Sequence, residues 1–221
     1  MRGKQTWAQQ LIEKGLHRIL GPAGLQSLLL SRPEYRFINS ESTLLAQQHQ
    51  TPAKGNEQGI SSLDLGCGTE PRNPFNASDI YGIDIRTSSN PNILTADLFC
   101  SPIPFEDAKF DFVTAYDFIE HIPRTIVQES TRFPFVELMS EIHRVLKPGG
   151  LFYSHTPAHP FKQAYQDPTH VNIITEDTFP IYFCDNEIES AFGRAYGFNG
   201  RFKLVDQCWL SHKLLTLLRK Y

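Results

Sequence analysis

Five short apolar runs between residues 60 and 156 constrain this chain more than any other feature. They are "ISSLDLG" (60–66), "DIYGIDI" (79–85), "NILTADL" (92–98), "FDFVTAYD" (110–117) and "GLFYSHT" (150–156). Each has the length of a buried strand and is rich in β-branched and aromatic residues. Between the last two lies "PFVELMSEIHRVLKPGG", where Phe135, Leu138, Met139, Ile142, Val145 and Leu146 recur at steps of three and four. That spacing predicts a helix with one apolar face. Lys147-Pro148-Gly149-Gly150 should end it, because proline cannot continue a helix and glycine accepts positive φ. Strands separated by crossovers call for an α/β fold with a mostly parallel sheet covered on both faces. At the C-terminus "RFKLVDQCWL" and "HKLLTLLRK" read as two strands joined by a tight turn at Ser211-His212. "KLLTLLRK" also satisfies a helical period; we read it as a strand.

Before residue 60 the character differs. Trp7, Leu11, Ile12, Leu16, Ile19 and Leu20 predict an amphipathic helix over 5–20, stopped by "GPAG" at 21–24. A short helix at 24–31 should follow, then polar, turn-rich chain with one helical turn near 42–48. The expected organisation is a helical cap over 1–57 and a main domain over 58–221. A chain of 221 residues suits one domain with such decoration. Its net charge of -3 argues against a broad nucleic-acid surface. The four cysteines, Cys67, Cys100, Cys184 and Cys208, form no CxxC pair, so neither a zinc site nor a disulfide framework is expected. The N-terminus does not read as a signal peptide, and no apolar stretch approaches the ~20 residues of a membrane span. The expectation is a cytoplasmic protein, monomer or homodimer, with no nucleic-acid or membrane partner.

The first run continues as "LDLGCGTEP" (63–71). Ligands of open parallel sheets bind outside the carboxyl ends of strands. Gly66 and Gly68 permit a sharp turn and close approach of a ligand. A dinucleotide loop would need a third glycine where Pro71 stands, and a triphosphate loop would need a Lys-Ser or Lys-Thr pair. Asp84 ends the second run, where an acid can accept from both ribose hydroxyls. Asp97 ends the third, where a carboxylate can accept from the adenine amino group, with the Leu98 N–H available to the ring. Each acid alone reads equally well as a solvated strand end. Together with the glycine turn they describe a site for an adenosine without phosphates.

These residues resemble the class I S-adenosylmethionine-dependent methyltransferases. "LDLGCG" is similar to the family's first motif, "YGIDI" to its ribose motif and "ADLF" to its adenine-side motif. "FDFVTAYDFIEHI" and "EIHRVLKPGGLFYSHTP" are similar to its fourth strand, following helix and fifth strand. The resemblance implies a Rossmann-like seven-stranded sheet of order 3-2-1-4-5-7-6 with the last strand antiparallel. It implies S-adenosylmethionine as cofactor, held by Asp64, Gly66, Cys67, Gly68, Asp84, Ile85, Asp97, Leu98 and Tyr116. The family loop usually carries a third glycine where Glu70 stands here. "TEPRNPFNASD" replaces the long helix that normally follows, so any helix there should be short and Glu70 should point away.

Methyl transfer needs acceptor and methyl group held in near-attack geometry, and an oxygen acceptor also needs a base. The candidates are His121, beside Glu120 after the fourth strand; His155, with His159, at the end of the fifth; and Asp167 and His170 in "YQDPTHVN". Bland readings stand beside each: a family-wide structural role for Glu120–His121, a satisfied strand-end His155, a turn-capping Asp167 bonded to His170. The spacing of His155, His159, His170 and Asp167 matches no metal motif, so no metal is expected. Tyr165, Phe179, Tyr182 and Phe183, in the insert over 157–200, either shape the acceptor pocket or only pack the insert. "YQDPTHVN" resembles a phrase in some bacterial methyltransferases near surface-polysaccharide pathways. The leading expectation is therefore methyl transfer to a small molecule, at a hydroxyl of a sugar or similar metabolite. The alternatives are a noncatalytic S-adenosylmethionine-binding scaffold and a protein or RNA methyltransferase.

Overall fold

The computed structural model describes residues 36–45, 59–127, 129–185 and 191–221. The helices expected at 5–20 and 24–31 lie outside the described residues. Seven strands build the main sheet: β1 (Ser61–Leu65), β2 (Asp79–Asp84), β3 (Ile93–Thr95), β4 (Phe110–Tyr116), β5 (Leu146–Pro157), β6 (Phe202–Leu210) and β7 (Lys213–Lys220). Their spatial order is β3-β2-β1-β4-β5-β7-β6. The first five run parallel, while β7 pairs antiparallel with both β5 and β6. "KLLTLLRK" is thus a strand, reached through a turn in which Ser211 takes φ +58°. β1 lies in the middle of the parallel part, and all five of its residues are buried.

Two layers of different construction cover the sheet. On one face lies α2 (Pro134–Val145), which follows the short α1 (Glu41–Leu45) in the chain. Pro134 fits its first turn, Glu137 lies near its N-terminus and Arg144 near its C-terminus, in keeping with the helix dipole. Phe135, Leu138, Met139, Ile142 and Val145 form its buried stripe. Leu146, counted with that face from the sequence, instead opens β5 by pairing with Phe110. Pro148 disfavours helical backbone at Lys147, so the helix stops before it. α3 (Thr178–Phe183) packs beside α2, with Phe135 and Phe183 rings 5.2 Å apart and Phe152 and Phe179 6.2 Å apart. Burial of each such ring contributes about 1.5–3 kcal/mol.

Among the described residues, the opposite face carries no long helix. The β1–β2 crossover, where any helix was expected to be short, contains none. Asn73 closes it locally: its Oδ1 accepts from the Ala77 N–H at 2.8 Å and its Nδ2 donates to the Ala77 carbonyl at 3.0 Å. That turn delivers Phe75, which stacks on Phe112 at 4.2 Å and meets Tyr153 edge-on at 6.3 Å. Leu44 and Leu45 of α1 join the same cluster, with Tyr116, Tyr153, Leu215 and Leu217. The Ile38 N–H donates to the Trp209 carbonyl at 2.8 Å, tying this segment to β6. Among the described residues, no helix is long and apolar enough to cross a membrane.

Candidate functional site

The loop after β1 is shaped by what its glycines lack. Gly66 and Gly68 adopt φ +66° and +68°. A Cβ on Gly66 would lie 2.4 Å from the Phe118 ring, which follows β4. Cys67 turns inward, and Gly82 of β2 makes room for it, since a Cβ there would lie 2.4 Å from the Cys67 Sγ. Burial first, then the fields of Asp64 and Asp84, push the Cys67 thiol up to about 11, so it stays a neutral wall of the loop. Asp64 is fully buried below. Its Oδ1 accepts from the Thr114 hydroxyl at 2.6 Å and its Oδ2 from the Arg72 N–H at 2.9 Å. Burial pushes it up to about 6. Asp64 thereby braces the loop from within. Glu70 is on the exposed side of the same loop.

Asp84 closes the next strand and is 5 % exposed. Its Oδ2 accepts from the Gly68 N–H at 2.8 Å, which ties the glycine loop to β2. Its Oδ1 accepts from the Arg86 N–H at 3.0 Å, and the Arg86 guanidinium reaches both oxygens at 2.8 and 3.2 Å. Arg86, then the amide donors, hold Asp84 down at about 2 despite its burial. Sequence reasoning missed Arg86, although an acid and an arginine two residues apart in extended backbone share a side. The arginine side chain is 73 % exposed, so on leaving Asp84 its own charge stays in water, while the Gly68 and Arg86 N–H groups remain on the carboxylate. Ile85 beside it is 64 % exposed, an apolar surface between Asp84 and Asp97. Asp97 accepts from the Phe99 N–H at 3.2 Å, and Leu98 turns its side chain inward. The Ala96 N–H donates to the Asp84 carbonyl at 3.0 Å and joins the two strand ends. Asp64, Gly66, Cys67, Gly68, Asp84, Ile85, Asp97 and Leu98 thus form one continuous edge.

Tyr116 belongs to a different group. Its hydroxyl donates to Glu41 of α1, its ring lies 4.7 Å below the Arg72 guanidinium, and the His155 ring is 5.2 Å away. Burial raises the Tyr116 phenol and lowers the His155 imidazole, so both stay neutral. Glu41 had no signal in the sequence, being 75 residues from its partner.

Two of the other predicted histidines, His121 and His170, meet on a third patch. A short 3-10 turn, Ile119–His121, follows β4. Glu120 is 1 % exposed; its Oε2 accepts from the Thr156 hydroxyl at 2.6 Å, and its Oε1 has no hydrogen-bond partner. Burial pushes it up to about 7. The Glu120 carbonyl accepts from the N–H groups of Val171 and Asn172, at 2.9 and 3.0 Å, which clamps the loop carrying His170 onto this turn. His121 and His170 rings sit 4.9 Å apart. Asp167 accepts from the Thr169 N–H and hydroxyl at 2.8 and 2.6 Å, which hold it below the usual carboxylate range. Its other oxygen is 4.0 Å from the His170 Nε2. Asp167 therefore caps a turn and also faces His170. His155 stands apart from this patch, in the Tyr116 group.

A cavity of about 580 Å³ opens among the segments that follow β4 and β5. Arg124, Phe133, Tyr165, Tyr182 and Tyr196 line it, with His159, whose Nδ1 is hydrogen-bonded to the Tyr165 hydroxyl. The glycine loop does not line it. The insert's aromatic residues divide between packing and lining. Phe179 is buried in the core, Phe183 is buried but also borders the cavity, and Tyr165 and Tyr182 are about half exposed there.

This sheet order, with a glycine turn and acids at its first three strand ends, is that of a Rossmann-like fold. A family model for a methyltransferase domain matches residues 35–199, and the chain belongs to that family, in the class I S-adenosylmethionine-dependent group. Demethylmenaquinone methyltransferases of Staphylococcus epidermidis (strain RP62A) and Staphylococcus aureus (strain MRSA252) are similar, at 25% identity over 149 residues and 28% over 131. The matches cover 58% of both chains for the first and 50% of both for the second, so the chain spans about half the length of the curated relatives it matches. The crystal structure of the [4+2]-cyclase SpnF shares the fold, with a TM-score of 0.51 and 16% identity over 97% of this chain and 96% of that one.

The family's cofactor is S-adenosylmethionine, and the residues present fit it. A Cβ on Gly68 would meet only the far end of the Arg86 side chain, at 3.5 Å, so that exposed arginine alone stands over the loop beside the buried Asp84, and the exposed Ile85 offers an apolar surface to a base.

Proposed function

We propose that this protein transfers the methyl group of S-adenosylmethionine to a hydroxyl of a small molecule, a sugar or similar metabolite. The observation that carries this reading is the hydrogen bond joining the Gly68 N–H to Asp84, which sets the glycine turn and the ribose acid in one rigid edge. In this reading Asp84, once Arg86 gives way, would accept from the ribose hydroxyls, and Ile85 and Asp97 would hold the adenine side. The loop over Gly66, Cys67 and Gly68 would hold the methionine part, with Arg72 as the candidate partner of its carboxylate. The bound cofactor supplies an electrophilic methyl on a sulfonium. The chain's own work is to align the acceptor with it and to exclude water.

The aromatic cavity is the proposed acceptor site; its volume falls in the usual range for small-molecule pockets. Arg124 and the His159–Tyr165 pair are its polar anchors. Activation of the hydroxyl falls to the histidine–carboxylate patch around His170. A second reading, an aromatic ring acceptor, draws support from the aromatic lining and from the relatives described as demethylmenaquinone methyltransferases.

The test is transfer of labelled methyl from S-adenosylmethionine across a panel of free and nucleotide-linked sugars, phenols and quinols. Label should enter one acceptor class, with S-adenosylhomocysteine released in equal amount. Cofactor binding without turnover on any member would favour the noncatalytic scaffold.

A further inference from the structure

The Glu120–His121–His170 patch has a feature that hydroxyl activation by a lone base does not explain. Glu120 is almost wholly buried, yet one of its carboxylate oxygens has no hydrogen-bond partner. An orphaned buried acceptor is uncommon and calls for a missing partner, such as a water or an ion. One carboxylate oxygen of Glu120 and one nitrogen from each of His121 and His170 all lie within 4.8 Å of one another.

The hydrogen bonds around the rings decide which nitrogens are free. The His170 Nδ1 faces the Ala164 carbonyl at 3.4 Å, and the His121 Nδ1 faces the Thr169 carbonyl at 3.2 Å. A carbonyl only accepts, so each Nδ1 donates there, which leaves Nε2 as the nitrogen of each ring available to a ligand. Thr169 reinforces this: its hydroxyl donates to Asp167, so toward His121, at 3.1 Å, it accepts. Backbone carbonyls that fix a histidine's tautomer and ring are the usual outer support of a metal ligand. The main chain is clamped as well, since Val171 and Asn172 both donate to the Glu120 carbonyl. Asp167, 4.0 Å from the His170 Nε2, stands at the open side and is half exposed.

We infer that Glu120, His121 and His170 form a binding site for a divalent first-row transition cation, with Asp167 at its solvent side. Two imidazoles and a carboxylate suit the zinc, iron, cobalt or manganese class better than magnesium or calcium. The inference replaces the expectation of no metal drawn from the sequence, which considered His155, His159, His170 and Asp167. The structure instead groups His170 with Glu120 and His121, while His155 belongs to the Tyr116 group and His159 pairs with Tyr165. The cation's role rests on the proposed function: it holds the acceptor's hydroxyl oxygen and makes that oxygen easier to deprotonate. Its binding does not rest on that reading.

The experiment uses the full chain, stripped with chelator and titrated with Co2+ by visible absorption and with Zn2+ and Mn2+ by calorimetry. One equivalent should bind with micromolar affinity or tighter. Glu120→Gln, His121→Ala and His170→Ala should each weaken binding by about 100-fold. Imidazole NMR of the wild-type protein needs no variant: Co2+ should shift or broaden the signals of two of the eight histidines, His121 and His170, before the others. S-adenosylmethionine titrated into stripped protein reads the cofactor site separately, and its affinity should not change. Absence of cation binding at millimolar concentration would overturn the inference, as would unchanged affinity in folded His121→Ala and His170→Ala. Loss of S-adenosylmethionine binding alone would count against the methyltransferase reading and leave the metal site standing.

Discussion

Asp84 and Glu120 are buried carboxylates at the carboxyl ends of β2 and just past β4, and their surroundings treat them in opposite ways. Asp84 accepts from two backbone N–H groups and a guanidinium, and is held down at about 2. Glu120 has one hydroxyl donor and an unpartnered oxygen, and is pushed up to about 7. Burial alone disfavours the charged form of both; only donors reverse it. The first edge is thus finished within the protein, and in the proposed function its exposed arginine gives way to ribose. The second is unfinished, and it is there that the inferred cation would sit.

The largest effect that bears on this contrast should come from Gly66→Val. It combines a left-handed backbone with a side chain forced into Phe118, and should cost about 3 kcal/mol or more of stability. Denaturant unfolding with a cofactor titration checks it; a fully stable variant would mean the loop is not fixed as described. Next, Asp84→Ala should weaken S-adenosylmethionine binding by about 100-fold, from the loss of two hydrogen bonds to a charged group. Undiminished affinity in a folded variant would remove Asp84 from the ribose site.

Stability against pH reads the two acids directly. Glu120 in metal-free protein has a folded pKa above its unfolded one. Both states are protonated below about pH 4.5. The unfolded chain then ionises first, so this acid's contribution to stability falls as pH rises and levels off above about 7. Glu120→Gln should therefore gain stability relative to wild type across that window, by about 3 kcal/mol at pH 8. Asp84 has the opposite sign: its stabilisation is complete above about pH 4 and is lost as pH falls toward 2, so the deficit of Asp84→Asn should shrink on acidification. Parallel curves for the two variants would break the comparison. The smallest effect is expected from Arg86→Ala. Removing an exposed competitor worth about 0.2–1 kcal/mol should tighten cofactor binding by up to about fivefold; weaker binding would mean that Arg86 itself holds the cofactor.

The first of these edges was legible in the sequence and the second only in part. β1, β2, β4 and the glycine loop announce themselves because buried strands and positive φ demand particular residues within a few positions. The missing helix after β1 was readable from its prolines and asparagines, but not what replaces it. Phe75 and Leu44 fill that face through contacts set by tertiary packing. His170 was singled out from a local phrase, yet its grouping with Glu120 depends on a loop folding back about fifty residues later onto one carbonyl. No periodicity encodes that return. Leu146 shows the same limit at short range: its spacing suits the helix, and the proline two residues on decides otherwise.

The most direct measurement is calorimetric titration of the full chain with S-adenosylmethionine and S-adenosylhomocysteine, with NAD as control. The account expects micromolar binding of the first two, about -8 kcal/mol, and none of NAD. Failure of a well-folded sample to bind either, or equal affinity for NAD, would contradict the assignment of the Gly66–Gly68 and Asp84 edge as an S-adenosylmethionine site.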